Sequence, residues 1–158
     1  MKKKKRKNWF RVLLSYADGS ERRMWLSVIL SIVSIVSGLI PFYCVYRMVD
    51  AYLAGSLENS VIIFWGVIGA ISYVVKVVCF GFSTGLSHHV AYYVLEGLRL
   101  KIADAFLKAS LGDVQEHSIG EIKNVIVDRI EEIEPPLAHM IPEGSGHLVL
   151  PVVSLIAL

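Results

Sequence analysis

Residues 61–112 read VIIFWGVIGAISYVVKVVCFGFSTGLSHHVAYYVLEGLRLKIADAFLKASLG, and the reading of this stretch decides the fold. It contains no proline, and from Val61 to Leu95 its only formal charge is Lys76. The pattern stays compatible with one helix through Glu96, Leu98, Leu100, Ile102, Phe106 and Leu107, with Gly112 as the expected stop. A helix of about 50 residues reaches about 75 Å, against a hydrocarbon core of about 30 Å. More than half of it must then leave a bilayer. The part that leaves mixes Glu96, Arg99, Lys101, Asp104 and Lys108 with apolar residues, as suits a helix that packs on neighbours while facing water.

The rest of the 158-residue chain supports a membrane reading, with 54% hydrophobic residues gathered into long runs. Met24 to Tyr46 is a run of 23 residues without a formal charge, long enough to span a bilayer. Pro135 to Leu158 carries only Glu143 besides His139 and His147. Three membrane segments are therefore expected, at about 24–46, 61–87 and 136–158. The chain stops inside the last apolar run, which reads as a fragment of a longer protein, with a tail-anchored end as the alternative.

Charge sets the orientation. The N-terminus holds Lys2 to Lys7, Arg11, Arg22 and Arg23, and the loop 54–60 holds Glu58 with no base. The positive-inside rule then puts the N-terminus and the stretch 96–134 in the cytoplasm and the short loop outside. The first apolar run is too long for a signal peptide. A basic arm beside a membrane helix meets anionic lipid, and this reading is taken over nucleic-acid binding. Trp9 to Tyr16 suits an interfacial helix at the end of a basic tail, residues 1–23, with a disordered tail as the alternative. Cys44 and Cys79 sit in apolar runs and read as packing residues.

Several local patterns predict how the helices meet. Ser27, Ser31, Ser34 and Gly38 recur at spacings of four, three and four and place small side chains on one face. Gly81 and Gly85 form a second small-residue step. Pro41 invites a kink, and Arg47 and Asp50 suit a local pair. Asp113 is placed to cap a short helix, with Glu116 three residues on. Ser118-Ile119-Gly120-Glu121 is a capping box, followed by the stripe Ile119, Ile122, Ile126, Ile130, Ile133 and Leu137. The chain is thus expected to descend one long helix, turn through a short one and return. Pro135 and Pro136 put a straight continuation of the return in doubt.

The stretch from about Leu86 to Glu143 resembles the transmembrane domain of ABC transporters with the exporter-type fold. The likeness lies in Leu98-Arg99, in Leu111-Gly112-Asp113, in Ser118 through Lys123, and in Asp128 with Glu131 and Glu134. Ser87-His88 and Ala138 through Glu143 resemble a subgroup related to siderophore transport, which includes importers, so direction stays open. The resemblance implies an all-α membrane protein, residues 24–158 being part of such a domain, in a plasma or bacterial inner membrane. It implies that Asp113, Val114, Gln115, Glu116 and His117 form a coupling helix. It also implies two partners, a nucleotide-binding domain that supplies ATP and Mg and a second transmembrane subunit, identical or not. The chain has no G-x-x-x-x-G-K-[ST] phosphate loop, so it is not expected to be an enzyme by itself.

Lys76 is a candidate cavity residue, because an ionisable group at that depth is costly. It could equally snorkel or pair with an acid on another helix. His88, His89, His139 and His147 show no two-histidine metal motif and read as packing donors, so no metal site is assigned. The implied function is ATP-driven movement of a small molecule, peptide or metal chelate. The alternative is a freestanding three-helix protein that modulates a transporter. A membrane enzyme has little support, since no nucleophile, base and orienting group occur together.

Overall fold

A computed structural model describes residues 20–56, 58–115 and 117–157, and every element within them is helical. The elements are α1 (Glu21–Leu53), α2 (Asn59–Lys108), α3 (Leu111–Gln115) and α4 (Ile119–Lys123). Two π-helical segments follow, Asn124–Arg129 and Pro136–Met140, and then α5 (Pro142–Ala157). Among the described residues, α1 with 33 residues and α2 with 50 are long and apolar enough to cross a membrane. The interfacial helix expected over Trp9–Tyr16 lies outside the described residues.

α1 and α2 form an antiparallel hairpin. α1 closes in a Schellman turn, with Ser56 N–H donating to Ala51 O and Gly55 N–H to Tyr52 O, at 3.0 and 3.1 Å. Gly55 holds φ at 67°, which a side chain would oppose. Along the hairpin, Ser27 Oγ donates to the Ser83 carbonyl at 2.8 Å, and Ser83 Oγ returns a bond to the Ser27 carbonyl at 2.7 Å. Two turns further, Ser34 Oγ donates to the Lys76 carbonyl at 2.9 Å. A seven-residue step up α1 is thus matched by a seven-residue step down α2, so the register holds along the seam.

The seam explains which residues are inside. Ser27, Ser31, Ser34 and Ser37 are buried, while Trp25, Ile29, Val33 and Val36 on the same helix are exposed. α2 repeats the pattern, burying Ser72, Ser83 and Ser87 and exposing Phe64, Ile71, Val74 and Phe82. A water-soluble fold places these classes the other way round. Small side chains let the two backbones approach, and the hydroxyls of Ser27, Ser34, Ser72, Ser83 and Ser87 each find a carbonyl in place of water. α1 passes through Pro41 without ending. Arg47, expected to pair with Asp50, places its guanidinium over Trp65 across the hairpin, 5.6 Å from the ring centroid. Trp65 also takes Tyr43 edge-on at 5.9 Å. The Gly81/Gly85 step takes no part in this packing, because among the described residues a β-carbon added at either glycine meets nothing within 4 Å.

The long helix ends at Lys108, earlier than the expected stop at Gly112. Ala109 turns extended and Val114 N–H bonds to Ser110 O, so α3 starts at Leu111 and takes in Gly112 and Asp113. The expected C′ glycine and the Asp113 N-cap are thus both inside a helix. The capping box at Ser118 forms as expected, with Glu121 N–H donating to Ser118 Oγ at 3.2 Å and Ser118 N–H donating to Glu121 Oε2 at 2.9 Å.

The return is irregular. Its isoleucine stripe is 87% exposed at Ile119, 3% exposed at Ile130 and fully buried at Leu137, so it closes onto α2 progressively. Pro135 and Pro136 lack two amide donors, and the chain responds with wide turns, Ile141 N–H reaching back five residues to Pro136 O. The third expected membrane segment, 136–158, is therefore divided into a π-helical turn and α5. The 16 residues of α5 extend about 24 Å. The three arms meet where Met24, Val90, Ala91, Val94, Leu137 and Ala138 form the buried core cluster.

Candidate functional site

The helical tip positions the residues expected to form a coupling helix. Asp113, Val114 and Gln115 lie in α3, Glu116 lies outside the described residues, and His117 follows α3 in a bend. The short helix is thus Leu111–Gln115, two residues ahead of the expected 113–117. Val114 and His117 face a groove of about 460 Å³ with Ile102, Phe106, Ala109 and Val125. His117 Nδ1 stands 3.9 Å from Glu121 Oε2. Hydrogen bonds from Ser118, and secondarily the neighbouring His117, hold the Glu121 carboxyl below its ordinary value. The tip is therefore a capped double turn folded back on the end of α2.

A second site lies midway along the hairpin. Lys76 opens from α2 into a cleft of about 370 Å³ between α1, α2 and α5. A β-carbon built on Gly38 would stand 3.1 Å from Lys76 Cδ and 3.3 Å from Cε, so the lysine stem lies across α1 where α1 has no side chain. Its ammonium sits 5.6 Å from the centroid of the Tyr73 ring. The other wall belongs to α5, which contributes Glu143 and His147, one turn apart. Gly146 fixes that wall, because a β-carbon there would collide with Ile35 and stand 2.9 Å from Ser31 Oγ. The stripe of small residues on α1 therefore serves two neighbours, α2 through Ser27 and Ser34 and α5 through Ser31.

Beside the cleft runs a series of histidines and carboxylates. His88 Nδ1 lies 3.3 Å from Glu134 Oε1, and the His88 ring meets His139 edge-on at 4.8 Å between centroids. His139 Nδ1 shares a hydrogen bond of 2.9 Å with Glu143 Oε1. The Glu134 charge, helped by a hydrogen bond, raises the Tyr92 phenol above its ordinary value. His89 stacks on Tyr93. Among the described residues no group of three His, Cys, Asp or Glu could hold a metal ion. The meeting of His88 with His139 had no local signal in the sequence, since 51 positions separate them.

No protein-family model matches this chain, and no curated protein matches it.

Proposed function

We propose that this chain is membrane-spanning machinery of an ATP-driven transporter of the ABC exporter-type fold, moving a small molecule, peptide or metal chelate. The observation that carries the reading is α2, which continues for 50 residues and ends in a capped reversal. At 1.5 Å per residue such a helix overshoots the hydrocarbon core by more than its thickness. The serine-lined seam and outward-facing large apolar side chains support lipid as the surroundings.

In this reading the N-terminus and the tip are cytoplasmic, and Leu111–Gln115 with His117 docks on a nucleotide-binding domain. That domain binds ATP and Mg and is supplied as a separate domain or chain. A second transmembrane subunit completes the pathway. Closure of the ATP-bound domains would push the tip and turn the long helices, each global state being stabilised by a different nucleotide occupancy.

The test uses the chain in its complete assembly, reconstituted in vesicles. Replacing residues 113–117 with Gly and Ser should leave ATP hydrolysis and insertion intact while abolishing coupled movement of substrate. Unchanged transport would sink the coupling role. A chain that inserts and modifies another transporter's activity without any ATP-dependent movement of its own would establish a modulator in its place.

A further inference from the structure

We infer that the cleft between Lys76 and Glu143 binds an amphipathic zwitterion, a molecule with one anionic group, one ammonium group and an apolar body. The two walls carry opposite charges, and each charge has a different local partner. Lys76 faces the Tyr73 ring, and Glu143 shares its hydrogen bond with His139. Both open into the same space, which is lined by Leu39, Phe42, Phe80 and Leu150 and, on its polar side, by Ser31, Ser34 and His147. Each wall is seated at a glycine. The lysine stem is laid over Gly38, and α5 is seated through Gly146 against Ser31 and Ile35.

Lys76 faces a ring and Glu143 a histidine, and the two form no ion pair with each other, so a ligand with a single charge would match one wall and not the other. A simple anion would satisfy Lys76 and be repelled by Glu143, and a simple cation would meet the reverse. A zwitterion answers both at once, its anion on Lys76 and its ammonium on Glu143, while its body covers the aromatic and aliphatic wall. The volume of about 370 Å³ lies in the range of small-molecule sites. This chemistry comes from two sources, a free apolar dipeptide or the headgroup of phosphatidylethanolamine. As a statement about the transported substrate the inference rests on the proposed function, whereas as a statement about binding it does not.

The test is equilibrium dialysis of the purified full chain with tritiated leucyl-leucine, beside its N-acetyl and C-terminal amide forms. A second arm uses nanodiscs of phosphatidylglycerol, which has no ammonium group, with and without phosphatidylethanolamine, and retained lipid is read by native mass spectrometry. Saturable binding of one zwitterion is expected, with each masked form weaker by about tenfold or more. Lys76→Gln should erase the preference for the free carboxylate or phosphate and keep that for the ammonium, and Glu143→Gln the converse. This crossed pattern cannot come from misfolding, which lowers all ligands together. Retained phosphatidylethanolamine that depends on both charges and excludes the dipeptide would name lipid as the source. Binding of neither probe, equal binding of the masked forms, or charge variants that behave as wild type would overturn the inference. ATP-driven transport without binding of either probe removes the zwitterion and leaves the transport reading standing. Binding without ATP-driven movement does the opposite.

Discussion

Lys76 lies across α1 at Gly38, its Cδ 3.1 Å and its Nζ 3.6 Å from the point where a β-carbon of that residue would be. The absence of a side chain at one position thus decides where a charged side chain 38 residues away can rest. Gly38→Ala should be tolerated, because a lysine stem can yield a few tenths of an ångström. Gly38→Leu should displace the ammonium and overpack the seam at about 1–3 kcal/mol. Thermal unfolding of the two variants checks this, and equal stability of Gly38→Leu and wild type would contradict the packing.

The hydroxyls of Ser27 and Ser83 should be coupled, since their Oγ atoms stand 3.2 Å apart, whereas the carbonyls that they also bond survive either substitution. A double-mutant cycle of Ser27→Ala and Ser83→Ala should give a coupling of about 0.6 kcal/mol, the average for such bonds between membrane helices. Strict additivity would show that the two hydroxyls act independently.

The seat of α5 on α1 can be read by cross-linking. Gly146 and Ser31 are close enough for a disulfide once both are cysteine, Ile35 is shortened to alanine to admit the new β-carbon, and Cys44 and Cys79 are replaced by serine or alanine. Rapid oxidation of Ser31→Cys/Gly146→Cys is expected, at a rate comparable with Ser27→Cys/Ser83→Cys. Cross-linking of the second pair alone would place α5 elsewhere.

Glu121 makes the tip sensitive to acid. Its carboxyl is held below the ordinary value of 4.5 in the folded tip, mainly by the Ser118 amide and hydroxyl. The contribution is therefore complete above about pH 4.5 and is lost as pH falls through the lowered value. Amide exchange at Ser118 should stay slow at neutral pH and accelerate in that acid window. In Glu121→Gln the acceleration should disappear, and its persistence would assign the sensitivity to another group.

The patterns that were legible in the sequence are those carried by neighbours along the chain. The capping box Ser118–Glu121 needs only a three-residue reach, and it forms as read. The length of α2 follows from an unbroken apolar period without proline, and its 50 residues match the expected span although its end falls at Lys108 instead of Gly112. The two ends differ because glycine permits a turn without requiring one, and the chain turns at Ala109 and uses Gly112 inside α3.

The division of labour is clear at individual residues. The sequence by itself determined that α1 and α2 are long and apolar, that Ser27, Ser31 and Ser34 share a face, and that Pro135 and Pro136 disturb the return, because these depend on periodicity and missing amides. Only the tertiary structure decided what that face meets. Ser27 bonds to Ser83, Ser31 lies against Gly146, and the Gly81/Gly85 step, identical in kind, has no described residue within 4 Å of an added β-carbon. Small side chains permit close approach without naming a partner, so the partner is set by the register of the whole hairpin. The same holds for Lys76, whose depth was readable but whose direction was not: Gly38 and the α5 wall with Glu143 reach it only through folding.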